Sequence, residues 1–541
     1  MVRVMRLNLE GLTNPSEWRA SGIALPEYDV GKMVAKTRDN PTWVHFGSGN
    51  IFRGFLAALV QDLLDTGKTD SGIITVSTYD YEIIDKIYVP HNNLALLVSM
   101  SADGQFKKRV IGSIAQGLVG DAGREPDWER LKQIFRSGSL QMASFTVTEK
   151  GYMLTNMSGE LLPDVAHDMA HGPSKPRHLI SIVVSMIHER FVAGAFPIAL
   201  VSMDNCSHNG DKLRDSVMRM AEAWRENGFV SSDFIHYLHD PAKVAFPWTM
   251  IDKITPRPSE SVKKSLEELG FADTEIVTTS KKTFIAPFVN AEVTQYLVIE
   301  DSFPNGRMPL EDAGVLFADR DTVDKVEQMK VTTCLNPLHT ALAIFGCLLG
   351  HTLISDEMRT PYLKRLVERI GYDEGLPVVV DSGVLSPTDF INEVIEKRFP
   401  NPYIPDSPQR IATDTSQKVG IRFGRTIRSY ATHPDLRASD LKFIPLVIAG
   451  WCRYLMGIGD DGKEMGLSPD PMLEELTSRL SSVELGSTTL CHESLEPILS
   501  NESLFGVNLY DVELGEKIEG YFTEMIQGPG AVARTLEKYV L

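Results

Sequence analysis

Cysteine is scarce in this sequence, and long apolar runs are missing from it. The 541 residues hold five cysteines, which are scattered and form no C-x-x-C pair: Cys206, Cys334, Cys347, Cys452 and Cys491. This pattern argues against a disulfide framework, so we expect reduced thiols in a cytoplasmic protein. No uncharged run of about 18 apolar residues occurs, and we therefore expect no membrane span. The opening stretch, MVRVMRLNLEGLTNPSEW, lacks the apolar core of a signal peptide.

Positive charge is also in short supply. The chain has 54 lysines and arginines against 72 acidic residues, for a net charge of −18. Binding of nucleic acid needs clustered positive charge, so we expect no nucleic-acid partner. A few local cations still suffice for a small anionic substrate. Histidine and cysteine are not clustered at ligand spacing and no H-E-x-x-H motif occurs, so we expect no metal.

Apolar segments of strand character alternate with helical segments in the first half of the chain. The strand-like segments are 42–46, 72–80, 141–152 and 196–205. Such alternation predicts an α/β domain with a parallel-rich sheet that helices cover on both faces. Beyond residue 320 the periodicity is mostly helical. We therefore predict a leader over 1–40 that packs on the body, an α/β domain over 41–287 and a mostly α-helical domain over 288–541.

The segment HFGSGNIFRGF follows the first strand and carries a glycine-rich turn. Gly47 and Gly49 suit a sharp turn and a close approach to a pyrophosphate, and Asn50 and Ile51 continue the motif. The third glycine of the G-x-G-x-x-G fingerprint is replaced here by phenylalanine, while Arg53 offers a charge for a phosphate. A glycine-rich turn without a ligand explains these residues equally well.

Asp80 stands at the end of the second strand. An acid in this place accepts hydrogen bonds from the adenosine ribose and favours NAD over NADP, because it repels a 2′-phosphate. It lies 33 residues after Gly47, which is further than the usual spacing of about 20 residues. A solvent-facing aspartate at a strand end is the alternative interpretation.

Two polar residues follow the next two strands. Glu149 comes after strand 145–148, and Asn205 comes after strand 199–203. The carboxyl ends of parallel strands meet at one edge, where ligands bind. We therefore expect both side chains at one crevice. Each could instead serve as a turn or helix cap.

Three polar residues lead into the apolar helix of MKVTTCLNPLHTALAIFGCLLG. Asn336 and His339 are three residues apart and share a helix face. Lys330 precedes them, and burial would lower the pKa of a lysine towards the range of a useful base. The trio matches what hydride transfer to or from a secondary alcohol needs without a metal. The alternative for Asn336 is an N-cap, since Pro337 suits the first turn of a helix.

Six ordered motifs resemble the mannitol dehydrogenase family of polyol-specific long-chain dehydrogenases/reductases, from about residue 42 to the C-terminus. They are HFGSGNIFRGF, TVTEKGY, SMDNCSHNG, VAFPWTMIDKITP, MKVTTCLNPLHTALA and RFPNPYIPDSPQRIATDTSQKVGIRF. The resemblance implies a Rossmann-type NAD-binding domain, a helical C-terminal domain and a metal-independent oxidoreductase. The expected partner is a sugar acid or polyol, and the oligomeric state is left open.

The resemblance also implies a role for individual residues. Lys330 matches the general base, Asn205 and Asn336 match an oxyanion hole, and His339 matches a substrate-contacting histidine. Glu149 matches an acid that gates proton access, which we group with the cofactor-binding residues. The implied substrate-binding residues are Asp252, Arg410 and Lys418.

The spacing of the lysine departs from the family pattern. The family has five residues from the lysine to the asparagine, whereas Lys330 lies six residues before Asn336. The extra residue either forms a bulge that leaves the lysine in place or moves it out of the site. SMDNCS also differs from the family's SCDNLP, so the loop after Asn205 is expected to differ.

Within the family, the sequence resembles the hexuronate branch, whose members reduce a keto-uronate such as D-fructuronate to an aldonate such as D-mannonate with NADH. The carboxylate of such a substrate would bind one of four cations, Arg410, Lys418, Arg422 or Arg425. The alternatives are a mannitol or polyol 2-dehydrogenase, a tagaturonate reductase, and a member that binds nucleotide or sugar without turnover.

Overall fold

The computed structural model describes residues 4–487 and 489–541, which divide into two compact units. The first unit ends at Asp324, and the second comprises Lys325–Leu541. This division falls further along the chain than the boundary predicted after residue 287. The reason is that strand Phe288–Glu292 pairs in parallel with Ala95–Met100 inside the first unit. This pairing joins distant parts of the chain and cannot be predicted from local sequence patterns.

The first unit is built on a six-stranded sheet in which every neighbouring pair is parallel. Across the sheet the strands are Ile114–Val119, Ile73–Ser77, Trp43–Phe46, Met142–Phe145, Ile198–Ser202 and Val244–Ala245. Numbered along the chain they lie in the order 3-2-1-4-5-6, which is the Rossmann order. Apolar runs such as Ile73–Ser77 are buried along their whole length, as a sheet covered on both faces requires. The predicted fold class is confirmed.

Helices pack on both faces of this sheet and complete two apolar cores. The helices of eight or more residues in this unit are Val30–Asp39, Ala57–Asp65, Glu125–Arg136, Pro163–His171, Leu179–Gly194, Asn209–Glu226, Ser232–His239 and Glu260–Glu268. Ala57–Asp65 continues a π-helical segment, Phe52–Leu56, so the helix that follows the glycine-rich turn has a widened first part.

The predicted leader takes part in a second, four-stranded sheet. Its strand Ile23–Ala24 pairs in parallel with Phe106–Ile111. Trp18 is only 1% exposed and packs edge-on against Phe271, with ring centroids 6.0 Å apart. Residues 4–40 are therefore integral to the first unit, and residues 1–3 of the predicted leader lie outside the described part of the chain. A third sheet, Thr249–Asp252, Tyr296–Glu300 and Leu316–Ala318, positions Asp252.

The second unit is helical, as predicted. Its helices of seven or more residues that lie wholly within it are Asn336–Leu349, Pro361–Glu368, Pro387–Glu393, Arg425–Thr432, Phe443–Leu455, Leu473–Leu480, Cys491–Leu499, Gly515–Met525 and Ala531–Val540. The helical stretch Arg320–Leu349 is long and apolar enough by length and composition to cross a membrane, but 83% of its most apolar window is buried in the protein. That environment is typical of a core helix.

Candidate active site

The glycine-rich turn lies between the first and fourth strands of the Rossmann sheet, where the strand order reverses. Gly47 has φ +120°, and a Cβ at this position would stand 2.3 Å from the carbonyl oxygen of Thr146. Its N–H donates to the Val76 carbonyl at 2.9 Å. Only glycine allows the strand ends to meet this closely. No atom lies within 4 Å of the Cβ position of Gly49, which leaves open backbone at the place where ligands bind in such sheets.

Arg53 is buried and engaged within the fold, which disfavours its predicted phosphate contact. Its side chain is 1% exposed, and Nη1 donates to the Ala286 carbonyl at 2.7 Å. Nη2 donates to Oδ1 of Asn50 at 2.8 Å. The guanidinium therefore anchors the chain around Ala286 and holds Asn50 at the start of the helix. The physical reason is that the buried guanidinium already donates to two oxygens of the protein.

Asp80 lies beside a cavity of about 820 Å³ at the carboxyl end of strand Ile73–Ser77. The carboxylate is 4% exposed, and Oδ2 accepts a hydrogen bond from Thr279 Oγ1 at 2.6 Å. Its Oδ1 is buried and has no hydrogen-bond partner among residues 4–487 and 489–541. A buried acceptor of this kind requires a donor, and a ribose hydroxyl would supply one. The residues here therefore fit the adenosine end of NAD.

A second cavity, of about 370 Å³, brings four predicted residues together. It is lined by Ile51, Glu149, Asn205 and Asp252, among others. They come from the glycine-rich turn, from the ends of the fourth and fifth strands and from the third sheet. Asn205 is exposed, whereas Asp252 is 7% exposed. The rule that parallel strands end at one edge therefore placed Glu149 and Asn205 together correctly.

Asp204, which was not among the residues predicted from the sequence, fixes the walls of this second cavity. Its carboxylate accepts from the N–H groups of Val147 and Thr148 at 2.9 Å each, and from the Tyr152 hydroxyl at 2.6 Å. Thr148 has φ +65°, an unusual value for a non-glycine residue that these bonds stabilise. Burial raises the pKa of the Asp204 carboxyl, although the three donors oppose the rise. The signal in the sequence that could have identified Asp204 is its position next to the predicted Asn205.

Glu149 stands at the mouth of the second cavity. Its side chain is 57% exposed and forms an ion pair with Lys212. The N–H groups that Asp204 holds belong to the two residues just before it. Glu149 is therefore anchored at its backbone while its carboxylate faces solvent.

Lys330 opens a π-helical segment, Lys330–Cys334, in the second unit. The N–H of Leu335 donates to the Lys330 carbonyl at 3.1 Å, a bond that spans five residues where an α-helix spans four. The wider turn takes up the extra residue between Lys330 and Asn336. Lys330 is only 3% exposed. The bulge foreseen as one outcome of the insertion is present.

Asn336 is the first residue of helix Asn336–Leu349, and Leu335 occupies the N-cap position. The alternative interpretation of Asn336 as an N-cap is therefore wrong. One turn on, His339 Nε2 lies 2.7 Å from Oδ2 of Asp406. The His339 ring is tilted against Phe399, with centroids 5.2 Å apart. Asp406 and Phe399 thus fix the imidazole from two sides.

Asp406 also holds Arg410 through its other carboxylate oxygen. Burial acts to raise the pKa of the Asp406 carboxyl, but His339 and Arg410 together hold it below its ordinary value. Arg410, predicted to contact substrate, is thus already ion-paired, with a side chain that is 66% exposed. Asp406 was not predicted, although it lies in the motif that contains Arg410.

Lys418 is half-buried and donates to the carbonyl of Thr413. Burial lowers the pKa of its ammonium, and the neighbouring Arg422 lowers it further. Arg422 donates to the Thr340 hydroxyl, on the same helix as Asn336 and His339. A second cation thus lies between Lys418 and that helix.

Comparison with known proteins agrees with these features. The model of the mannitol dehydrogenase Rossmann domain matches residues 41–312, and that of the mannitol dehydrogenase C-terminal domain matches residues 322–525. The chain is 56% identical over 538 residues to the D-mannonate oxidoreductase of Thermotoga maritima, covering 99% of both chains. It is 30% identical to the mannitol 2-dehydrogenase of Phaeosphaeria nodorum, over 86% of this chain and 76% of that one.

A solved structure with a similar fold is the ternary complex of Pseudomonas fluorescens mannitol 2-dehydrogenase with NAD and D-mannitol. It is 26% identical in sequence, with a TM-score of 0.69, and the match covers 99% of both chains. The two matched family models together cover most of the chain and agree with the observed Rossmann and helical units. This protein therefore belongs to the mannitol dehydrogenase family.

Proposed function

We propose that this protein is an NAD-dependent oxidoreductase that interconverts a keto-uronate and an aldonate, with D-fructuronate and D-mannonate as the pair. The observation that carries the proposal is the 56% identity, over the whole chain, to a D-mannonate oxidoreductase. The cations Lys418 and Arg422 near the helix of Asn336 support an acidic substrate.

NAD supplies the hydride acceptor of such a reaction and, when reduced, the hydride donor. Gly47 and Gly49 would admit its pyrophosphate to the open backbone at the glycine-rich turn. The buried Oδ1 of Asp80 would accept from a ribose hydroxyl, and its negative charge disfavours a 2′-phosphate. These residues support NAD over NADP.

Proton transfer is assigned to Lys330. In the reducing direction its ammonium gives a proton to the oxygen of the substrate's keto group while the carbon of that group receives hydride. In the oxidising direction the neutral amine takes the hydroxyl proton back. Lys330 is 3% exposed, so its side chain is shielded from bulk water. The Asn336 and Asn205 amides would donate to the oxygen as negative charge develops on it.

Other residues would bind and orient the substrate. His339, fixed by Asp406, would contact a hydroxyl near the reacting carbon. Asp252 would accept from another hydroxyl, and Lys418 and Arg410 would face the substrate. Glu149 would govern proton exchange with solvent from the mouth of the second cavity. Each of these roles follows from the family resemblance.

A substrate panel tests the proposal directly. NADH oxidation is measured with D-fructuronate, D-tagaturonate and D-fructose, each repeated with NADPH. We expect D-fructuronate with NADH to give the highest kcat/KM. A preference for D-fructose would favour a mannitol-type 2-dehydrogenase, an alternative supported by relatives near 30% identity. A preference for D-tagaturonate would favour the other uronate reductase, and no turnover would favour a binding function.

A further inference from the structure

Arg422 and Lys418 are neighbouring cations that form no close ion pair within the described residues, and we call them the cation pair. The guanidinium of Arg422 donates to the hydroxyl of Thr340, and the ammonium of Lys418 donates to the carbonyl of Thr413. Within 4–487 and 489–541, no carboxylate lies within ion-pair distance, 4.0 Å, of either side chain. Both known partners are neutral, so two like charges stand side by side.

The cation pair is costly in the free protein. Burial lowers the pKa of Arg422 to about 10. Burial and the charge of Arg422 lower the pKa of Lys418, although the carboxylates of Asp414 and Asp470, which lie beyond ion-pair distance, oppose this change. Buried charges in proteins are normally paired, because an unpaired charge loses its hydration without compensation. A site with this excess of positive charge is suited to an anion that arrives with the substrate.

The cation pair is anchored to the helix that carries the proposed catalytic residues. Thr340, which accepts from Arg422, also donates to the carbonyl of Asn336 at 2.8 Å. Four residues of helix separate the two, a rise of about 6 Å. In a keto-uronate such as D-fructuronate the keto and carboxylate groups also lie towards opposite ends of a short carbon chain. An anion at Arg422 would therefore leave the keto group in the neighbourhood of Asn336.

The other candidate cations are already engaged. Arg410 is ion-paired with Asp406, which in turn holds His339. Arg425 is exposed and donates to Gln328 Oε1 at 2.9 Å. Of the four cations considered from the sequence, Arg422 and Lys418 alone have only neutral hydrogen-bond partners and lie away from bulk solvent.

We propose that Arg422, with Lys418 beside it, binds the substrate carboxylate and so selects a sugar acid over its neutral counterpart. This inference rests on the proposed function and deepens it. A guanidinium presents two parallel N–H groups to a carboxylate, which makes the contact directional as well as strong. Arg422 is then a specificity-determining residue, while proton transfer stays with Lys330.

The test compares D-fructuronate with its methyl ester, which has the same carbon chain without the charge. For the unaltered enzyme with NADH, we expect kcat/KM to favour the acid by about 10²-fold, as a charge-assisted contact provides. Arg422→Gln should lower kcat/KM for the acid by about the same factor and leave the ester within about threefold. Equal losses on acid and ester would overturn the inference.

Two further variants control for a general effect of removing a nearby positive charge and for failure of Arg422→Gln to fold. Arg428→Gln removes an exposed cation of the adjoining helix Arg425–Thr432 and should leave the acid/ester ratio unchanged. If Arg422→Gln fails to fold, Arg422→Lys is tested in its place. The lysine keeps the charge but lacks the paired N–H groups of the guanidinium. Arg422→Lys should therefore lower the ratio of kcat/KM for the acid to that for the ester by about 10-fold. An unchanged ratio in Arg422→Lys would then count against the inference.

Failure of the proposed function has a different signature. An unaltered enzyme that does not turn over D-fructuronate, or that prefers D-fructose, refutes the proposed function before any variant is made. An unaltered enzyme that reduces D-fructuronate and favours it over its ester, but keeps that ratio in Arg422→Gln, upholds the function and refutes the role of Arg422.

Discussion

Glu357 is a carboxyl group that burial keeps protonated. It is 0% exposed, and neither carboxyl oxygen has a hydrogen-bond partner in the part of the chain that the structure describes. Burial, together with the negative charges of Asp406 and Asp356, raises its pKa to about 10. Because the folded state holds this proton more tightly than the unfolded chain, the associated stability is fully present below the ordinary pKa of about 4.3. It is lost as pH rises towards 10.

Replacing Glu357 by glutamine keeps the neutral shape and removes this pH dependence. We expect the Tm of Glu357→Gln, relative to the unaltered protein, to rise steadily between pH 5 and pH 9, by a few degrees in total. Thermal unfolding at several pH values measures it. Glu464→Gln, at an exposed loop position, is the matched control and should show a constant difference. A constant difference for Glu357→Gln as well would mean that the carboxyl is ionised in the fold.

Asp80 determines cofactor choice if its free oxygen accepts from the ribose. We expect Asp80→Ala to narrow the preference for NADH over NADPH by about 10-fold, because a buried acceptor and a repulsive charge are both lost. The ratio of kcat/KM with NADH to kcat/KM with NADPH measures this preference. Asp103→Ala, at an exposed position, is the control. A ratio that stays the same would remove Asp80 from this role and direct attention to Glu82, which lines the same cavity.

At the scale of the element, the π segment Lys330–Cys334 bears on whether Lys330 can act in proton transfer. The wider turn accommodates the extra residue between Lys330 and Asn336, and we therefore propose that Lys330 takes the place of the family's lysine. We expect Lys330→Ala to lower kcat/KM by about 10²–10⁴-fold, the usual contribution of general acid–base catalysis, while NADH still binds. Steady-state kinetics and NADH titration separate the two effects.

The surface lysine Lys463, 81% exposed, serves as control for Lys330 and should tolerate alanine. Near-normal activity of Lys330→Ala between pH 6 and pH 10 would show that the insertion has moved the lysine out of the site. His339, held by Asp406, would then be the next candidate for proton transfer.

At the scale of the whole molecule, the five cysteines differ sharply in access. Cys334, Cys347, Cys452 and Cys491 are buried, and burial raises the pKa of the first three to about 12. The thiolate is the reactive form, so these thiols should react slowly. Cys206 is partly exposed in the cavity that Asn205 lines.

We therefore expect a thiol reagent to label one cysteine quickly in the native protein and all five after unfolding. Peptide mapping should place the fast label on Cys206, and Cys206→Ser should abolish the fast phase. Rapid labelling of two or more cysteines in the native protein would contradict the observed burial.

Local patterns predicted the elements that rest on local chemistry. The apolar run before Gly47, the polar residues after two strands and the lysine in an apolar helix were all visible in the sequence. What escaped prediction depends on distant partners. The domain division follows from the pairing of Phe288–Glu292 with Ala95–Met100. The setting of His339 depends on Asp406, and Arg53 turns inward towards Ala286.

The π segments also indicate where the helices of this protein can accommodate inserted residues. Six occur among residues 4–487 and 489–541: Phe52–Leu56, Ile84–Tyr88, Lys330–Cys334, Arg369–Gly375, Val394–Arg398 and Gly420–Gly424. The hydrogen bond of a π turn spans one residue more than that of an α-helical turn. A helix can therefore accommodate an inserted residue there while the following residues keep their orientation. Three of them carry Arg53, Lys330 and Arg422. We therefore expect single-residue alignment gaps among relatives to occur at these turns.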